Sequence, residues 1–551
     1  MSLEFSLFYL LHYATNNTKQ NRGGGVVVRE IVSVLYVSMK KHHRAFLSLC
    51  IVALCIELPQ PASARVRKGR APTPPQATQT PESPQTAEVL LERSGLANED
   101  VGYLLFDPAD GQAIEEHRAD EARVPASTTK VVTTIAALKI LGEDHYFQTS
   151  VFTSGEIIDG TLHGNLYLRG DGDPTLTTDD LRNLAVAVQG AGITNVSGSF
   201  IFDDTLLTRT EQIDQKISMT ASYNPGLSAL SVNYNRIQLH WEQTPRRGSA
   251  APGAYSHAKG GTVPIEAITL GQQAEEFDTN IAFLHEATNH GGPPLDRWLL
   301  SPKLPPQGWI GLPIRLDPGR ITALLFRTIC KQQGVELPLP EAAAVPATAQ
   351  MLATHWSEPL PEIVSKVLRF SNNLAAELIG LTASRKLSTH PLSLRDSAAT
   401  LTNWYLRQLP DAPWQGFYCA NHSGLSSATR ITPRQMSAIL RVGWSLPVGQ
   451  STFPQLLWPP RWERVKNDPE HVAVRAKSGT MNYADGLAGF LTTRQGRELG
   501  FVVLITNFPQ RLTQDETQDV RAAAAEPEGN GWTRRAKILE KNLVTSWIAR
   551  Y

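Results

Sequence analysis

The six residues Pro125-Ala126-Ser127-Thr128-Thr129-Lys130 decide how the rest of the chain is interpreted. Ser127 and Lys130 are three residues apart, so both side chains lie on one face of a helix. The apolar-periodic run VVTTIAALKILG follows Lys130 and stops at Gly142, as a helix does at its C-terminus. A lysine that is neutral at working pH can take the proton of a neighbouring serine hydroxyl and make it a nucleophile. The stretch therefore predicts a serine–lysine pair at the start of a helix.

The S-x-x-K spacing alone is weak evidence, since an ordinary helix start with a solvated lysine has the same pattern. The chain also carries this spacing at Ser38 and Lys41, where it indicates no chemistry. The interpretation depends on whether other residues can complete a site around Ser127.

Two further motifs could complete such a site. Ser371-Asn372-Asn373 places a hydroxyl and an amide two residues apart, in or beside the helical stretch 360–387. Lys477-Ser478-Gly479-Thr480 places a cation, a residue without a side chain and a hydroxyl at the end of a strand. Such a strand edge can offer a backbone N–H to an oxyanion, and its glycine lets a substrate backbone approach closely. S-x-N also occurs at Ser222–Asn224 and Ser231–Asn233, so that motif is not specific by itself.

In the order S-x-x-K, S-x-N and K-[ST]-G, the three motifs resemble the signature of penicillin-recognising serine enzymes, the β-lactamases and penicillin-binding proteins. Ser371 lies 244 residues after Ser127 (371 − 127), far more than a compact β-lactamase needs. An insertion of this size is similar to the class C low-mass penicillin-binding proteins, the D-alanyl-D-alanine carboxypeptidase/endopeptidase family (peptidase family S13). The resemblance covers roughly residues 98–510 and assigns the S-x-N copy at 231 to the insertion. Other stretches that resemble the family are GDGDPTLT (170–177), YNPGLSALSVNYN (223–235), NHSGLSSATRITP (421–433) and KSGTM (477–481).

The resemblance implies a catalytic role for five residues. Ser127 is expected to attack the carbonyl between the two terminal D-alanines of a peptidoglycan stem peptide, with Lys130 as its general base. Ser371 would pass the proton to the leaving amine, and Asn373 would bind the substrate backbone. Lys477 would support the site electrostatically.

The resemblance also implies a substrate-binding set. Its members are Ser478, Gly479, Thr480, Met481 and Tyr223. Thr480 would bind the terminal carboxylate, and its N–H and that of Ser127 would form the oxyanion hole. Tyr223 and Met481 would line the pocket for the third residue of the stem peptide. Water would hydrolyse the acyl-enzyme, β-lactam antibiotics would acylate Ser127 as covalent inhibitors, and no cofactor or metal is expected.

The length, charge balance and cysteine content of the chain argue against several classes of protein. The chain has 551 residues, enough for two or three domains, and 52 basic residues balance 52 acidic ones. This balance argues against nucleic acid as a partner and allows at most peripheral membrane contact. Four cysteines exclude a disulfide scaffold. Cys330 and Cys419 are interpreted as two buried small residues, although an oxidising compartment leaves a bridge between them open.

Residues 39–64 have the features of a secretory signal peptide. A basic start precedes the apolar run AFLSLCIVALCI at 45–56, and Ala62-Ser63-Ala64 supplies a cleavage site, although Glu57 is an unusual charge at this place. The pattern predicts an exported, periplasmic or otherwise extracytoplasmic protein whose mature chain begins near Arg65.

Two neighbouring segments follow from that interpretation. A secretory signal normally stands at the N-terminus, and residues 1–38 would precede a complete one. Translation is therefore predicted to begin at Met39. Residues 65–88 are basic and then rich in Pro, Thr and Gln, which predicts a flexible tether.

The folded part is predicted to be an α/β (α+β) protein. Residues 89–145 and 316–551 would form a β-lactamase-like transpeptidase domain, an antiparallel sheet flanked by helices. A β-rich insertion would occupy 146–315, where strand-like runs alternate with turns. A hairpin over 103–117 would complete the sheet of the C-terminal strands. Further helices are predicted at 320–334, 360–387, 393–409, 432–446 and 533–550.

The chain also contains patterns that could indicate a metal site or another function. His285-Glu286-Ala287-Thr288-Asn289-His290 looks like a zinc-peptidase motif but is one residue too long for both histidines to share a helical face. Asp171 and Asp173 in GDGDPT fit a proline-containing turn better than an ion site. A β-lactamase or esterase on the same fold, and a catalytically inactive exported binding protein, remain open as rival functions. The sequence indicates no particular oligomeric state.

Overall fold

The first two strands of the folded chain and the last three form one sheet. The computed structural model describes residues 84–242, 252–273, 283–288, 293–464, 472–518 and 530–551. The untranslated segment predicted at 1–38, the signal peptide predicted at 39–64 and residues 65–83 of the predicted tether lie outside the described residues. The tether predicted at 65–88 is too long at its end, because Ala87 and Glu88 already belong to the helix Ala87–Arg93.

The strands and helices are numbered in chain order. The described strands are β1 Val101–Phe106, β2 Ala113–His117, β3 Gln148–Thr153, β4 Glu156–Ile158, β5 Thr161–His163, β6 Leu166–Gly170, β7 Asn195–Val196, β8 Phe200–Asp203, β9 Arg236–Glu242, β10 Gly253–Ala258, β11 Gly261–Pro264, β12 Thr269–Gln272, β13 Phe283–Thr288, β14 Leu295–Leu300, β15 Gln307–Pro313, β16 Pro340–Ala342, β17 Gln350–Trp356, β18 Pro447–Val448, β19 Ser451–Thr452, β20 Val474–Met481, β21 Ala484–Thr492 and β22 Glu498–Thr506. The described α-helices are α1 Ala87–Arg93, α2 Thr129–Leu141, α3 Thr178–Gly190, α4 Pro318–Gln332, α5 Leu360–Phe370, α6 Asn373–Lys386, α7 Leu394–Gln408, α8 Pro433–Trp444, α9 Arg461–Arg464, α10 Phe508–Thr517 and α11 Asn530–Arg550.

The sheet that joins the two ends of the chain has the order β2-β1-β22-β21-β20. Each neighbouring pair is antiparallel. The predicted hairpin therefore completes the sheet of the C-terminal strands, as expected. β20 is an edge strand of this sheet, which leaves one side of its backbone without a strand partner.

Alternate residues of β1 face opposite sides of this sheet, and both sides are covered. Leu104 and Phe106 pack into a core with helices α2, α5, α6, α7 and α8. Tyr103 and Leu105 pack on the other side against α1 and α11. Both faces of β1 are buried because helices lie on each side, so this domain has three layers, helix, sheet and helix.

The helices follow the predictions with one correction. Those predicted at 320–334, 393–409, 432–446 and 533–550 are confirmed as α4, α7, α8 and α11, with bounds shifted by one to three residues. The single helical stretch predicted over 360–387 is wrong, because it is interrupted between α5 and α6. Ser371 has the left-handed conformation (φ 56°, ψ 36°), which ends α5.

The break at Ser371 also starts the next helix. The side chain of Asn372 accepts a hydrogen bond from the Ala375 N–H at 2.9 Å, so it caps the N-terminus of α6. Ser371 therefore sits at a turn between two helices.

The β-rich insertion is present and has its own hydrophobic core. Its sheets are β16-β8-β6-β3-β17, β11-β10-β9-β15, β12-β14-β13 and β4-β5-β7. Helix α3, which the prediction missed, also packs in this core. Its start carries a recognisable signal, since Thr177 and Asp180 form a reciprocal capping box.

Residues beyond 315 still pack into the core of the insertion. Helix α4 contributes Ile321, Phe326 and Cys330 to it, and β17 is an edge strand of its largest sheet. The predicted boundary between 315 and 316 therefore divides a packed unit. We propose that the insertion ends near residue 356.

The two cysteines of the described chain are not bonded to each other. Cys330 and Cys419 are both free thiols and both buried, in two different cores. Among the helices in the described ranges, none has both the length and the apolar character that are needed to cross a membrane.

The proposed boundary can be tested with two fragments. Residues 146–356 should fold alone, because Gln148 of β3 pairs with Trp356 of β17 and thus brings the two ends together. Residues 146–315 should fail to fold, since they lack α4, β16 and β17. Circular dichroism and urea unfolding of both fragments would measure this. Cooperative unfolding of the shorter fragment would contradict the boundary.

Candidate active site

Ser127 lies in a short 3-10 turn, Ala126–Thr128, that leads directly into α2. The turn contains a strained residue, because Ala126 has a positive φ of 47°. Two side-chain hydrogen bonds hold the turn in place. Thr128 Oγ1 donates to Pro125 O at 2.7 Å, and Thr129 Oγ1 donates to Ala126 O at 2.8 Å. Strain that persists beside a reactive group is a common feature of functional sites.

Lys130 is fully buried, and its amine reaches three oxygen atoms. Nζ lies 3.0 Å from Ser127 Oγ, 2.7 Å from Asn373 Oδ1 and 2.8 Å from Ser423 O. Burial holds the pKa of Lys130 well below its ordinary value, and the charge of Lys477 lowers the pKa further. A neutral amine has two hydrogens and one lone pair. If the two oxygens of Asn373 and Ser423 accept the hydrogens, the lone pair is left for the Ser127 hydroxyl.

Asn373 joins the amine to the insertion. Its Oδ1 accepts from Lys130, and its Nδ2 donates to the backbone oxygen of Tyr223 at 3.0 Å. The carboxamide is therefore fixed in orientation, and the second hydrogen of Nδ2 is left for another acceptor. The S-x-N motif and the insertion thus meet at the predicted base.

Gly479 brings strand β20 against the turn that carries Ser127. A Cβ atom at Gly479 would lie 2.6 Å from Pro125 O and 2.7 Å from Ser127 N. Glycine is needed at this position because the chain's own backbone approaches closely. The expected role of Gly479 in letting a substrate backbone approach stays a prediction.

Lys477 precedes Gly479 by two residues and faces the same side of the sheet. Its side chain is buried, and Nζ donates to Ser478 O at 2.5 Å. Burial lowers the pKa of Lys477 to about 7. Ser478 and Thr480 point to the opposite face and are exposed.

These residues surround a cavity of about 490 Å³. Six of the predicted site residues line it, namely Ser127, Tyr223, Ser371, Asn373, Thr480 and Met481. Lys130 and Lys477 lie buried below it. The sequence analysis did not anticipate the charged residues on its wall, which are Asp214, Lys216, Arg511 and Asp515.

Comparison of the chain with known proteins identifies its family. The model of the D-Ala-D-Ala carboxypeptidase 3 (S13) family matches residues 84–282 and 315–529, about three quarters of the chain. The chain belongs to the S13 family. The predicted membership is confirmed, and with it the prediction of a serine-type D-alanyl-D-alanine carboxypeptidase at the level of the family.

Individual relatives agree with the S13 assignment. The D-alanyl-D-alanine carboxypeptidase DacB of Haemophilus influenzae is 24% identical over 448 residues, which are 76% of this chain and 88% of the relative. The D-alanyl-D-alanine carboxypeptidase of Actinomadura sp. (strain R39) is 26% identical over 498 residues, 84% of this chain and 89% of the relative. The crystal structure of penicillin binding protein 4 from H. influenzae superposes with a TM-score of 0.62 at 20% identity. The superposition covers 84% of this chain and 99% of the H. influenzae chain, so the two proteins share the fold.

The sequence analysis missed one buried group of this S13 site. Glu377 lies four residues after Asn373 on α6 and is completely buried. Its two carboxylate oxygens accept the backbone N–H groups of His422 and Ser423 at 2.8 and 2.9 Å. Burial raises the pKa of Glu377 to about 7, although these hydrogen bonds favour the ionised form.

Glu377 is linked to Lys130 through a loop. Burial lowers the pKa of Lys130, and the charge of Glu377 raises it against this larger effect. The loop residue Ser423 accepts the Lys130 hydrogen bond on its carbonyl oxygen and donates its N–H to Glu377. Gly424 follows with φ +71°, and a Cβ there would lie 1.9 Å from Ala126 O. The stretch NHSGLSS at 421–427 had been noted only as a family-like segment. The spacing of four residues places Glu377 on the same helical face as Asn373, and this was the signal in the sequence. Helix periodicity alone, however, does not distinguish a buried glutamate from one on the surface.

The metal-site alternatives find no support in the described part of the chain. His285 and Glu286 lie in strand β13 rather than on a helix, and His290 is outside the described residues. His285 Nε2 lies 2.5 Å from Asp296 Oδ1. Asp173 accepts from the N–H and the hydroxyl of Thr175, both at 2.8 Å, in a proline-containing turn. Within the described ranges, no cluster of three metal-ligating side chains occurs.

We predict that Glu377→Gln slows acylation of Ser127 by penicillin about tenfold or more. Glutamine offers one acceptor oxygen to two buried N–H donors, and an unsatisfied buried donor costs roughly 1–3 kcal/mol. The loop carbonyl of Ser423 would then hold Lys130 less well. Stopped-flow acylation rates would measure the effect, with Glu362→Gln, an exposed residue of α5, as the matched control. An acylation rate equal to that of the unchanged protein would contradict the role of the loop.

Proposed function

We propose that this S13 chain is a serine-type D-Ala-D-Ala carboxypeptidase that acts on peptidoglycan stem peptides. Endopeptidase cleavage of D-alanyl cross-links would be a second reaction of the same site. The observation that carries the proposal is the buried Lys130 amine, 3.0 Å from the Ser127 hydroxyl and close to two fixed carbonyl oxygens. This arrangement suits an amine that is neutral before reaction and can accept one proton.

In the proposed acylation step, Ser127 Oγ bonds to the carbonyl carbon between the two terminal D-alanines. Its proton passes to Lys130 Nζ as the bond forms. Ser371 lines the same cavity and would carry a proton from Lys130 to the nitrogen of the departing D-alanine. The C–N bond then breaks, and the acyl group remains on Ser127. A water molecule attacks the ester in the second half of the reaction.

The developing oxyanion would be held by two backbone N–H groups. The N–H of Ala476 points outward from β20 and donates to Trp458 O at 3.1 Å. N–H directions alternate along a strand, so the N–H of Thr480, four residues later, points to the same outer side. Gly479 lets the N–H of Ser127 lie close to this edge. These observations support Ser127 and Thr480 as the oxyanion donors.

Binding of the substrate is assigned to the remaining predicted residues. Thr480 would bind the terminal carboxylate at the end of β20, next to Ser478. Asn373 would use its remaining hydrogen for the substrate backbone. Tyr223 and Met481 line the cavity and would contact the third residue of the stem peptide. Lys477, which is buried nearby, would favour the neutral form of the base through its charge.

β-Lactams would acylate the same serine. The H. influenzae penicillin binding protein 4 has also been solved in complex with a novel β-lactam. A lactam carbonyl presents the same electrophile to Ser127 as the peptide does, and the ring nitrogen takes the place of the leaving amine.

We predict that exposure to penicillin gives one covalent adduct, on Ser127. Mass spectrometry of the intact protein and of its peptides would detect it, and Ser127→Ala should show none. Acylation should proceed at neutral pH, since burial keeps the pKa of Lys130 well below its ordinary value of 10.5. An adduct on Ser127→Ala would refute the assignment of the nucleophile.

The lifetime of the adduct distinguishes the rival functions. A long-lived acyl-enzyme together with release of D-alanine from a stem pentapeptide supports the carboxypeptidase. Rapid turnover of penicillin would favour a β-lactamase or esterase on this fold. Absence of both reactions would favour an inactive binding protein.

We also propose that the protein is exported and works in the periplasm. The support is the predicted signal peptide over 39–64 and the location of peptidoglycan outside the cytoplasmic membrane. N-terminal sequencing of the exported protein should find a start near Arg65. A peptide from residues 1–38 in the precursor would contradict translation from Met39.

A further inference from the structure

A buried carboxyl group lies directly behind Thr480. Asp485 is the cross-strand partner of Thr480 between β20 and β21. Thr480 Oγ1 and Asp485 Oδ1 are 2.7 Å apart. Asp485 is 1% exposed, and its second oxygen, Oδ2, has no hydrogen-bond partner within the described part of the chain. The Thr480 hydroxyl is therefore the side-chain group that contacts Asp485, and the backbone N–H of Gly486 also favours the ionised carboxylate.

A second carboxyl group approaches Asp485 from the last helix. Glu540 of α11 is 6% exposed, and its Oε1 has no partner among the described residues. The charged groups that act on this pair are the two carboxylates themselves and Lys537 of the same helix. β20 contributes the neutral Thr480 on the side of the sheet that faces Asp485, whereas Lys477 of the same strand faces the other side. Because the negative charge of Asp485 disfavours a second charge on Glu540, the two buried carboxylates do not both ionise easily.

The two groups differ in how strongly they hold a proton. Burial and the charge of Asp485 raise the pKa of Glu540 well above its ordinary value. Burial raises the pKa of Asp485 to about 7, while Lys537 and the Thr480 hydrogen bond favour its ionised form. Glu540 therefore holds its proton more strongly than Asp485, so Asp485 is the member of the pair that ionises first as the pH rises through about 7.

The charge of Asp485 decides what the Thr480 hydroxyl can do, because a hydroxyl has only one hydrogen. An ionised Asp485 can only accept, so it takes that hydrogen and Thr480 presents lone pairs to the cavity. A protonated Asp485 donates its own hydrogen to Thr480 Oγ1. The Thr480 hydrogen is then free for an acceptor in the cavity, such as a carboxylate.

We propose that Asp485 is a positioning residue which, as a neutral acid, directs the Thr480 hydrogen toward the terminal carboxylate of the substrate. The preference of the enzyme for a free C-terminal carboxylate then decreases as Asp485 ionises. The inference rests on the proposed function, in which Thr480 binds that carboxylate. No covalent bond changes, since only the direction of two hydrogen bonds is reversed.

The test compares two matched substrates, an N-acylated peptide ending in D-Ala-D-Ala and the same peptide with a C-terminal amide. The ratio of their kcat/KM values is measured from pH 6 to pH 8. Both peptides use Ser127 and Lys130, so the titration of the base cancels in the ratio. The pKa of Lys477 is also about 7, and the variant Asp485→Asn separates its contribution because that variant keeps Lys477. We expect the preference for the carboxylate to fall about tenfold over this range, as for the loss of a hydrogen bond to a charged group.

Two isosteric variants separate the two carboxyl groups. Asp485→Asn should keep a high preference at each pH, because its amide nitrogen can donate to Thr480 Oγ1 whatever the pH. Glu540→Gln is the matched control and should retain the fall, since glutamine has the shape and charge of the protonated Glu540 that lies beside the ionising Asp485. A preference that stays constant in the unchanged protein, or a fall in Asp485→Asn equal to the normal one, would overturn the inference. Loss of the fall in Glu540→Gln alone would overturn the assignment to Asp485.

Variants of Thr480 keep the test decisive if Asp485→Asn does not fold. Thr480→Val should show a low preference that does not change with pH, and Thr480→Ser should restore both the preference and its fall. A normal preference in Thr480→Val would refute Thr480 as the carboxylate donor. If the unchanged protein cleaves neither peptide and takes up no penicillin on Ser127, the proposed function itself fails. A constant preference in an active enzyme refutes only the role of Asp485.

Discussion

The structure of the peptidase site depends on the burial of one amine. Lys130 has no contact with solvent, so its charged form is disfavoured and each of its polar contacts must come from the protein. Those contacts come from three separate parts of the chain: the turn before α2, the start of α6, and the loop at 421–427. Each part is positioned in turn by buried polar groups or by close backbone packing. The reactivity of the serine is thus a property of how these three segments fold together.

Close backbone approach is the second constraint on the site. Gly479 and Gly424 both lie against the turn that carries Ser127, and a side chain at either would collide with its backbone atoms. The turn is also held by threonine hydroxyls and contains a left-handed alanine. The backbone of Ser127 is therefore held in place by the packing of the segments around it.

The parts of the site that sequence could predict are those in which the chemistry lies in a short motif. Ser127 and Lys130 are local, and the order of the three motifs was specific enough for the family. The break at Ser371 was not predicted, because the flanking residues have helical periodicity and one left-handed residue interrupts it. Glu377 and Asp485 were also missed. Their importance comes from contacts between distant segments, and nothing in the adjacent sequence marks a buried carboxylate as different from a solvated one. The extent of the insertion was underestimated for a similar reason, since α4 resembles any amphipathic helix until its packing partners are known.

The contact between Asn373 and Tyr223 has a consequence for how such an enzyme can diversify. The amide of Asn373 is held by the main-chain oxygen of Tyr223, whereas the Tyr223 side chain lines the cavity. A carbonyl oxygen is common to all amino acids, so replacement of this side chain leaves the anchor of the catalytic amide in place. Evolution can therefore change the chemistry of the pocket wall at this position while the machinery of bond cleavage is inherited unchanged. On the proposed function, the inserted domain would serve as a replaceable specificity module joined to a fixed reaction centre.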